Sequence, residues 1–398
     1  MRRFKIFWIL LFFILFILPF QGSGEEIKQA NCKYLNISNF LGIYDVNNFD
    51  NKLIASFDLF DESGPSSWTA IGVLDENGNL MKIQELGKKA KNNWLRKIII
   101  DKKYNLIIGL GAVNYSYYTK WGRGWLVALD YNLKVRWDRS FLLGALTHFI
   151  DGDITDDGLL IAVGNTHHIG NDFPNSYCTL FNPTNGKNLK IEELPKPMDF
   201  FLNKGDGFYL LLTLESVSTY KLETDKPWLT VLDKKCKVIN SIDLSYVKHL
   251  PIKEEEFSKY DYFATTYKNG LLIMRHDKGT HNVELFYIDL NNIHDKRFKY
   301  SYYTLKEDMC EINRVYSAKD KNSILYVGKV CSKEDIYQLK EITIENLPKV
   351  IFTMRWKVPA EFKLDSSSSE IFILNENKYI LVSSGKENEK PIFCKILR

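Results

Sequence analysis

Apolar and polar positions alternate along most of the chain, and the alternating runs return at a regular interval. Each return is a run closing on Leu-Asp or a near equivalent, then a turn, then a second β-rich run. Ile71-Gly72-Val73-Leu74-Asp75 precedes the turn Glu76-Asn77-Gly78-Asn79, and Trp125-Leu126-Val127-Ala128-Leu129-Asp130 precedes Tyr131-Asn132. Tyr177–Asn182, Trp228–Asp233 and Leu285–Asp289 continue the series, with weaker copies closing near Thr343 and at Phe393–Leu397. Steps between the markers 75, 130, 182, 233, 289, 343 and 397 are 55, 52, 51, 56, 54 and 54 residues. Most intervals also hold a hairpin around a polar turn, such as Lys102-Lys103-Tyr104, Asp156-Asp157-Gly158, Lys268-Asn269-Gly270 or Asn375-Glu376-Asn377. Each repeat therefore reads as four antiparallel strands, a to d, and four strands in a repeat of this length make a propeller blade. Sustained helical periodicity is missing, and Lys248–Lys259 reads as an insertion with room for a helical turn.

The last repeat stops at its third strand, while Cys32–Ile37 is left over before the first blade begins near Leu41. Pairing that segment beside Phe393–Leu397 supplies the missing strand and leaves no open seam. The expectation is an all-β, seven-bladed β-propeller of four-stranded antiparallel blades, closed by an N-terminal strand (about 32–37) completing the last blade. It forms one domain over residues 25–398, with blades over about 41–398. Residues 1–24 read as a secretory signal peptide: Met1–Lys5 is basic, Ile6–Leu18 is apolar and Gly22-Ser23-Gly24 offers small residues for cleavage. The apolar run is short for a membrane span, so membrane contact is expected only if the segment stays uncleaved. The destination is then an exported one, periplasmic or secreted.

The composition, 45% hydrophobic and 26% charged, is that of a globular chain. Net charge is +4, but Arg2, Arg3 and Lys5 lie in the leader, so the mature body is nearly neutral and nucleic acid is not an expected partner. An exported chain with six cysteines invites disulfides. Cys310 and Cys331 lie at equal distances either side of the turn Lys319-Asp320-Lys321-Asn322, hence opposite one another on a regular hairpin. Cys32 and Cys394 fall on the two closing strands, where a bridge would contribute roughly 4–5 kcal/mol through chain entropy. Cys178 and Cys236 sit in neighbouring blades at different heights and are expected to be reduced, or bridged only with distortion. With no Cys-x-x-Cys pair, a zinc site is not assigned.

Polar candidates gather on the face carrying the b–c and d–a connections. His148, His167 and His168 belong to the third blade there, near Asp151 and Asp153, and offer metal ligands or simply solvated imidazoles; no metal is assigned. The second blade's b–c loop carries Tyr115, Tyr117, Tyr118 and Trp121 with Lys120 and Arg123. It suits a stacking platform for sugar rings or a protein hot spot, or else folds down on the blade edge. Arg275-His276-Asp277-Lys278 reads as a charged loop of the fifth blade on the same face. Nucleophile elbows, phosphate loops, zinc-protease motifs and dinucleotide fingerprints are missing. Asn36-Ile37-Ser38 and Asn114-Tyr115-Ser116 fit the N-glycosylation sequon.

Ala128-Leu129-Asp130-Tyr131-Asn132-Leu133-Lys134-Val135-Arg136-Trp137 resembles the repeat of pyrroloquinoline-quinone-like propellers, and more broadly the tryptophan-aspartate-like type; Asn185-Gly186-Lys187 echoes its turn. No residues match that superfamily's quinone and calcium ligands, so no cofactor is implied. The resemblance implies a non-catalytic envelope scaffold, although such members are lipoproteins and this chain lacks a lipobox. The expected function is a non-catalytic binding or scaffold module, monomeric, for a protein or glycan partner. The alternative is a glycan hydrolase or lyase using His167, His168 or His276 as acid/base groups. An enzyme requires ionisable side chains converging on the channel mouth; a scaffold requires an exposed aromatic patch without them.

Overall fold

The computed structural model describes residues 27–60, 67–87, 92–116, 121–167, 174–194, 196–214, 226–250, 258–318, 322–332, 335–345, 347–362, 370–375, 378–384 and 391–397. The leader lies outside them. All 29 regular elements among them are strands. Two short ones come first, β1 (Ile27–Gln29) and β2 (Asn31–Tyr34). Then follow β3 (Phe40–Phe49), β4 (Lys52–Phe60), β5 (Ser67–Asp75) and β6 (Leu80–Leu86). Next are β7 (Trp94–Asp101), β8 (Leu106–Ser116), β9 (Trp121–Asp130), β10 (Val135–Phe141), β11 (Leu146–Ile154), β12 (Leu160–His167), β13 (Pro174–Asn182) and β14 (Lys187–Leu194). The middle of the chain holds β15 (Phe200–Gly205), β16 (Phe208–Thr213), β17 (Trp228–Asp233), β18 (Val238–Asp243), β19 (Tyr260–Tyr267), β20 (Gly270–Asp277), β21 (Asn282–Asp289) and β22 (Tyr300–Lys306). The last seven are β23 (Met309–Ser317), β24 (Ile324–Val330), β25 (Ile336–Ile344), β26 (Pro348–Lys357), β27 (Glu370–Asn375), β28 (Lys378–Ser384) and β29 (Pro391–Leu397).

These strands form an all-β propeller arrangement of small meandering sheets. Four sheets are four-stranded: β3–β6, β15–β18, β19–β22, and a composite in the order β2-β29-β28-β27. β23–β26 make a fifth, to which β1 adds in parallel alongside β26, a strand that the alternation did not reveal. β7–β14 form one eight-stranded sheet, joined where Leu146 of β11 meets Gly122 of β9. The N-terminal strand that pairs β29 is Asn31–Tyr34, shorter than the expected 32–37. Leu35 and Ile37 instead turn into the apolar cluster of Phe40, Phe57 and Phe393, where burial outweighs further pairing.

The recurring Leu-Asp has a mechanical role. Asp75 Oδ1 accepts the N–H groups of Asn77 (2.9 Å) and Asn79 (2.8 Å). Asp130 does the same for Asn132 and Lys134, and Asp233 for Lys235 and Lys237. Each carboxylate thus closes the turn that reverses the chain, the Asx-turn preference of aspartate. Second and third strands are buried almost throughout, as in β4 and β5, whereas the outer strand β14 alternates exposed and covered. Neighbouring sheets pack face to face through clusters such as Ile161, Val163, Phe201, Tyr209 and Leu211. Trp137 reaches from β10 to donate its indole N–H to Pro183 O (2.8 Å) and lies against Gly186, where a Cβ would come within 2.6 Å of the ring.

All six cysteines are paired. Cys32 stands directly opposite Cys394, with Cα atoms 4.0 Å apart. Cys310 bridges Cys331 at a Cα separation of 5.0 Å, displaced into a bulge rather than in regular register. Of the two outcomes expected for Cys178 and Cys236, reduced thiols or a bridge, the structure shows the bridge: they form a disulfide, Cα to Cα 5.6 Å, fully buried. The β17–β18 turn leans over the preceding sheet, with Lys234 pairing Asp157 and Lys190 Nζ reaching Lys235 O (2.9 Å), and this brings Cys236 down to β13. Three disulfides suit an oxidising environment.

Candidate functional site at the start of the first inner strands

Strands β3, β7, β11 and β23 are the innermost of their meanders, and each carries a bulge at the same relative height. Tyr44 is the extra residue between Ile43 and Asp45, Arg96 between Leu95 and Lys97, Ile150 between Phe149 and Asp151, and Asn313 between Ile312 and Arg314. A bulge bends a strand and re-aims the side chains beside it. Three of the four are seated on glycines of the second strand. A Cβ at Gly111 would lie 1.9 Å from Trp94 O, at Gly164 2.0 Å from His148 O, and at Gly328 2.0 Å from Glu311 O. Only a residue without a side chain lets those carbonyls in.

The residue after each bulge is charged: Asp45, Lys97, Asp151 and Arg314. Lys97 Nζ lies 4.0 Å from Asp45 Oδ2 and 3.6 Å from Asp151 Oδ1. Arg314 adds a positive field on Asp45. Asp45 Oδ2 also accepts Ile98 N–H (2.8 Å) and Asn47 Nδ2 (3.1 Å), while Asn47 donates to Ile98 O (2.7 Å). Asn203 Nδ2 donates to Asp153 Oδ2 (2.6 Å). Burial pushes the carboxyls of Asp45, Asp151 and Asp153 up, and Lys97 opposes that shift. The two flanking aspartates raise the Lys97 ammonium in turn, so it stays charged. Together they make a polar, charge-balanced floor.

Toward the start of the same strands lies a second group. The Tyr44 ring is 6.4 Å from Trp94, Trp94 is 5.7 Å edge-on from His148, and the Arg96 guanidinium sits 5.1 Å over Trp94. Behind Tyr44, its phenol donates to Asp58 Oδ2 at 3.4 Å. Asp58 is 5% exposed, and its Oδ1 accepts no hydrogen bond among the described residues. Burial pushes the Asp58 carboxyl from 3.8 up to about 7. Burial and the nearby Asp58 push the Tyr44 phenol up to about 12, so it remains a donor at neutral pH. A phenol, an imidazole, a guanidinium and an indole face therefore share one mouth, with the buried Asp58 carboxyl behind the phenol. Such a set can bind a carboxylate and sugar hydroxyls, and it can move protons.

Of the sequence candidates, His148 belongs to this group. His167 closes β12 opposite Leu146 and Pro174; its side chain, and all of His168, lie outside the described residues. So do the side chains of Tyr115 and Trp121 and the whole of Tyr117 and Tyr118. Arg123 is exposed on β9, opposite Val113. The reading of Arg275 and His276 as a charged loop is corrected, since both are buried strand residues of β20. Arg275 Nε donates to Glu284 Oε2 (2.5 Å), with its guanidinium over Tyr260 and Phe286. His276 Nε2 meets Met309 O at 3.2 Å. Apolar neighbours on both sides and paired polar heads make these packing groups.

Tyr44, Asp58, Trp94 and Arg96 were missed. The signal available was the charged residue recurring inside apolar inner-strand runs, at Asp45, Lys97 and Asp151, at nearly the blade period.

No known protein family matches the sequence, and no curated protein is similar to it. Solved structures are similar in fold. The polysaccharide lyase Uly1 aligns with a TM-score of 0.50 at 8% identity, over 94% of this chain and 93% of that one. The β-propeller domain of the Trilobed protease from Pyrococcus furiosus aligns at 0.45 and 9% identity, over 90% and 94%. The acylaminoacyl peptidase of Pyrococcus horikoshii aligns at 0.40 and 9%, over 88% of this chain and 58% of that one. Identities this low speak for the fold alone.

Proposed function

We propose that this protein is an exported, closed seven-bladed propeller that binds an acidic glycan at the mouth formed by β3, β7 and β11. The count of seven takes the eight-stranded sheet as two blades meeting at Leu146 and Gly122, and takes β1 as an addition to β26. Closure is supported by neighbouring inner strands all the way round, from β3 through β7, β11, β15, β19, β23 and β27 back to β3. Export is supported by the basic and apolar leader and by three disulfides.

The observation that carries the ligand reading is Arg96 held over Trp94 beside Tyr44 and His148. An arginine fork recognises a carboxylate, an indole face stacks on a pyranose ring, and phenol and imidazole meet hydroxyls. A uronate chain offers all three. The experiment is isothermal titration with oligogalacturonate and alginate oligomers against neutral dextrins. Binding of the uronates alone, weakened at least about tenfold by Arg96→Ala at moderate salt, is expected for a hydrogen bond to a charged group worth ~1.5–3 kcal/mol.

A second reading is acid–base cleavage of that glycan, favoured by the carboxyl of Asp58 titrating near neutrality. In a β-elimination a base takes the proton next to the uronate carboxylate, the neighbouring C–O bond breaks as a C=C bond forms, and an acid protonates the departing oxygen. His148 suits the base and Tyr44 the acid. A rise in absorbance from unsaturated uronate products separates this reading from simple binding.

A further inference from the structure

A second cluster stands apart from the mouth, where the β20–β21 connection meets the end of β24. Asp277 Oδ1 accepts the N–H groups of Gly279 (2.8 Å) and Thr280 (3.1 Å), and Asp277 O accepts that of His281 (2.7 Å). His281 is held at φ +58°, and its own carbonyl accepts Glu307 N–H (3.2 Å). That tight turn aims the imidazole at the Cys310–Cys331 disulfide. Imidazole nitrogen and both sulfurs lie within 4.8 Å of one another, the one such three-donor group among the described residues. His281 Nδ1 is buried and has no hydrogen-bond partner there. A buried polar atom without a partner is costly and invites a ligand.

The other two disulfides differ. Cys178 and Cys236 are fully buried among apolar side chains, and Cys394 is buried in the closing sheet. Cys331 is exposed, at the edge where β24 ends, so a reductant can reach it. Attack on a disulfide depends on such access.

We propose that opening Cys310–Cys331 turns this corner into a metal site for Zn²⁺ or a cation of similar softness. A dithiol reductant attacks the exposed sulfur and leaves as its own cyclic disulfide. Its two electrons and two protons pass to the cysteine pair, which becomes two thiols. The cation then binds both sulfurs and His281, and the two thiol protons go to solvent. Zinc distances of about 2.3 Å to sulfur and about 2.0–2.1 Å to nitrogen require the two sulfurs, once their bond is broken, to part and the imidazole to close on them. Three protein donors leave a fourth position for water. The site is thus latent: disulfide in oxidising surroundings, metal-binding in reducing ones.

The test uses the full mature chain, reduced by a phosphine, desalted without oxygen and titrated with Zn²⁺ and Co²⁺. Thiol labelling and peptide mass mapping identify which cysteines have opened. One equivalent of metal held by the reduced form but not the oxidised form is expected, with a thiolate-to-cobalt absorption band. His281→Ala should weaken binding at least about tenfold, the smaller loss seen when even an outer partner of a metal ligand is removed. The double variant Cys310→Ser, Cys331→Ser should bind none, and a melting curve for each variant guards against misfolding. Equal binding by the oxidised chain, no binding after Cys310 and Cys331 open, a different disulfide opening first, or unchanged affinity in His281→Ala would each overturn the proposal.

Discussion

Replacing Asp58 by asparagine removes a charge that the fold does not welcome. Asp58 lies on β4 opposite Gly42 and Thr69, almost wholly buried, with the Tyr44 phenol donating to it. Its carboxyl titrates at about 7 rather than 3.8. Below pH ~4 the group is neutral in both folded and unfolded chains and contributes nothing unfavourable. Between ~4 and ~7 the unfolded chain gives up its proton while the folded chain keeps it, so stability falls by ~1.4 kcal/mol per pH unit. Across three units the ceiling is about 4 kcal/mol, all of it lost above pH ~7. Asparagine keeps the shape and an oxygen for Tyr44, and it carries no charge. Urea unfolding of both proteins at pH 4, 6 and 8 isolates the effect, because Asp45, Asp151 and Asp153, also shifted up, are common to both. The variant should match the wild type at pH 4 and exceed it by several kcal/mol at pH 8. Parallel stability curves, with no widening gap, would refute the burial argument.

Further outcomes follow from the bulges, the charged floor and the staple. Gly164→Ala places a methyl 2.0 Å from His148 O, so about 1–3 kcal/mol of stability and the mouth's glycan binding should both be lost, checked by denaturation and titration. Lys97→Met leaves Asp45 and Asp151 facing one another without their shared cation; because all three are partly exposed, a loss of about 2 kcal/mol is expected at pH 8, shrinking toward pH 4. Removing the bridge across the closing sheet with Cys32→Ser and Cys394→Ser should cost up to about 6 kcal/mol in the chain-entropy relation, since it closes a loop of 362 residues, and should lower the melting temperature without moving the glycan affinity.

The strand pattern was legible because each Leu-Asp marker is both a buried edge and a turn-closing carboxylate. One residue type therefore repeats for two physical reasons at once, as Asp75, Asp130 and Asp233 illustrate. Pairing Cys32 with Cys394 came from the same arithmetic. The pairing of Cys178 with Cys236 stayed open because a turn's lean is set by contacts such as Lys234 with Asp157, not by its place in the repeat. The mouth was only partly legible. His148 stood out as a histidine, but Tyr44 and Arg96 are extra residues in bulges, and a two-residue period treats them as ordinary strand positions. Arg275 and His276 looked loop-like by polarity, whereas paired burial with Glu284 and aromatic faces keeps them in β20.

The central claim is that the mouth between β3, β7 and β11 takes an acidic glycan. Titration of the mature protein with oligogalacturonate, wild type against Trp94→Ala and Arg96→Ala, tests it most directly. The account predicts saturable binding that both substitutions weaken at least about tenfold, with neutral dextrin silent. Equal affinity for dextrin, or uronate binding untouched by either substitution, would contradict it.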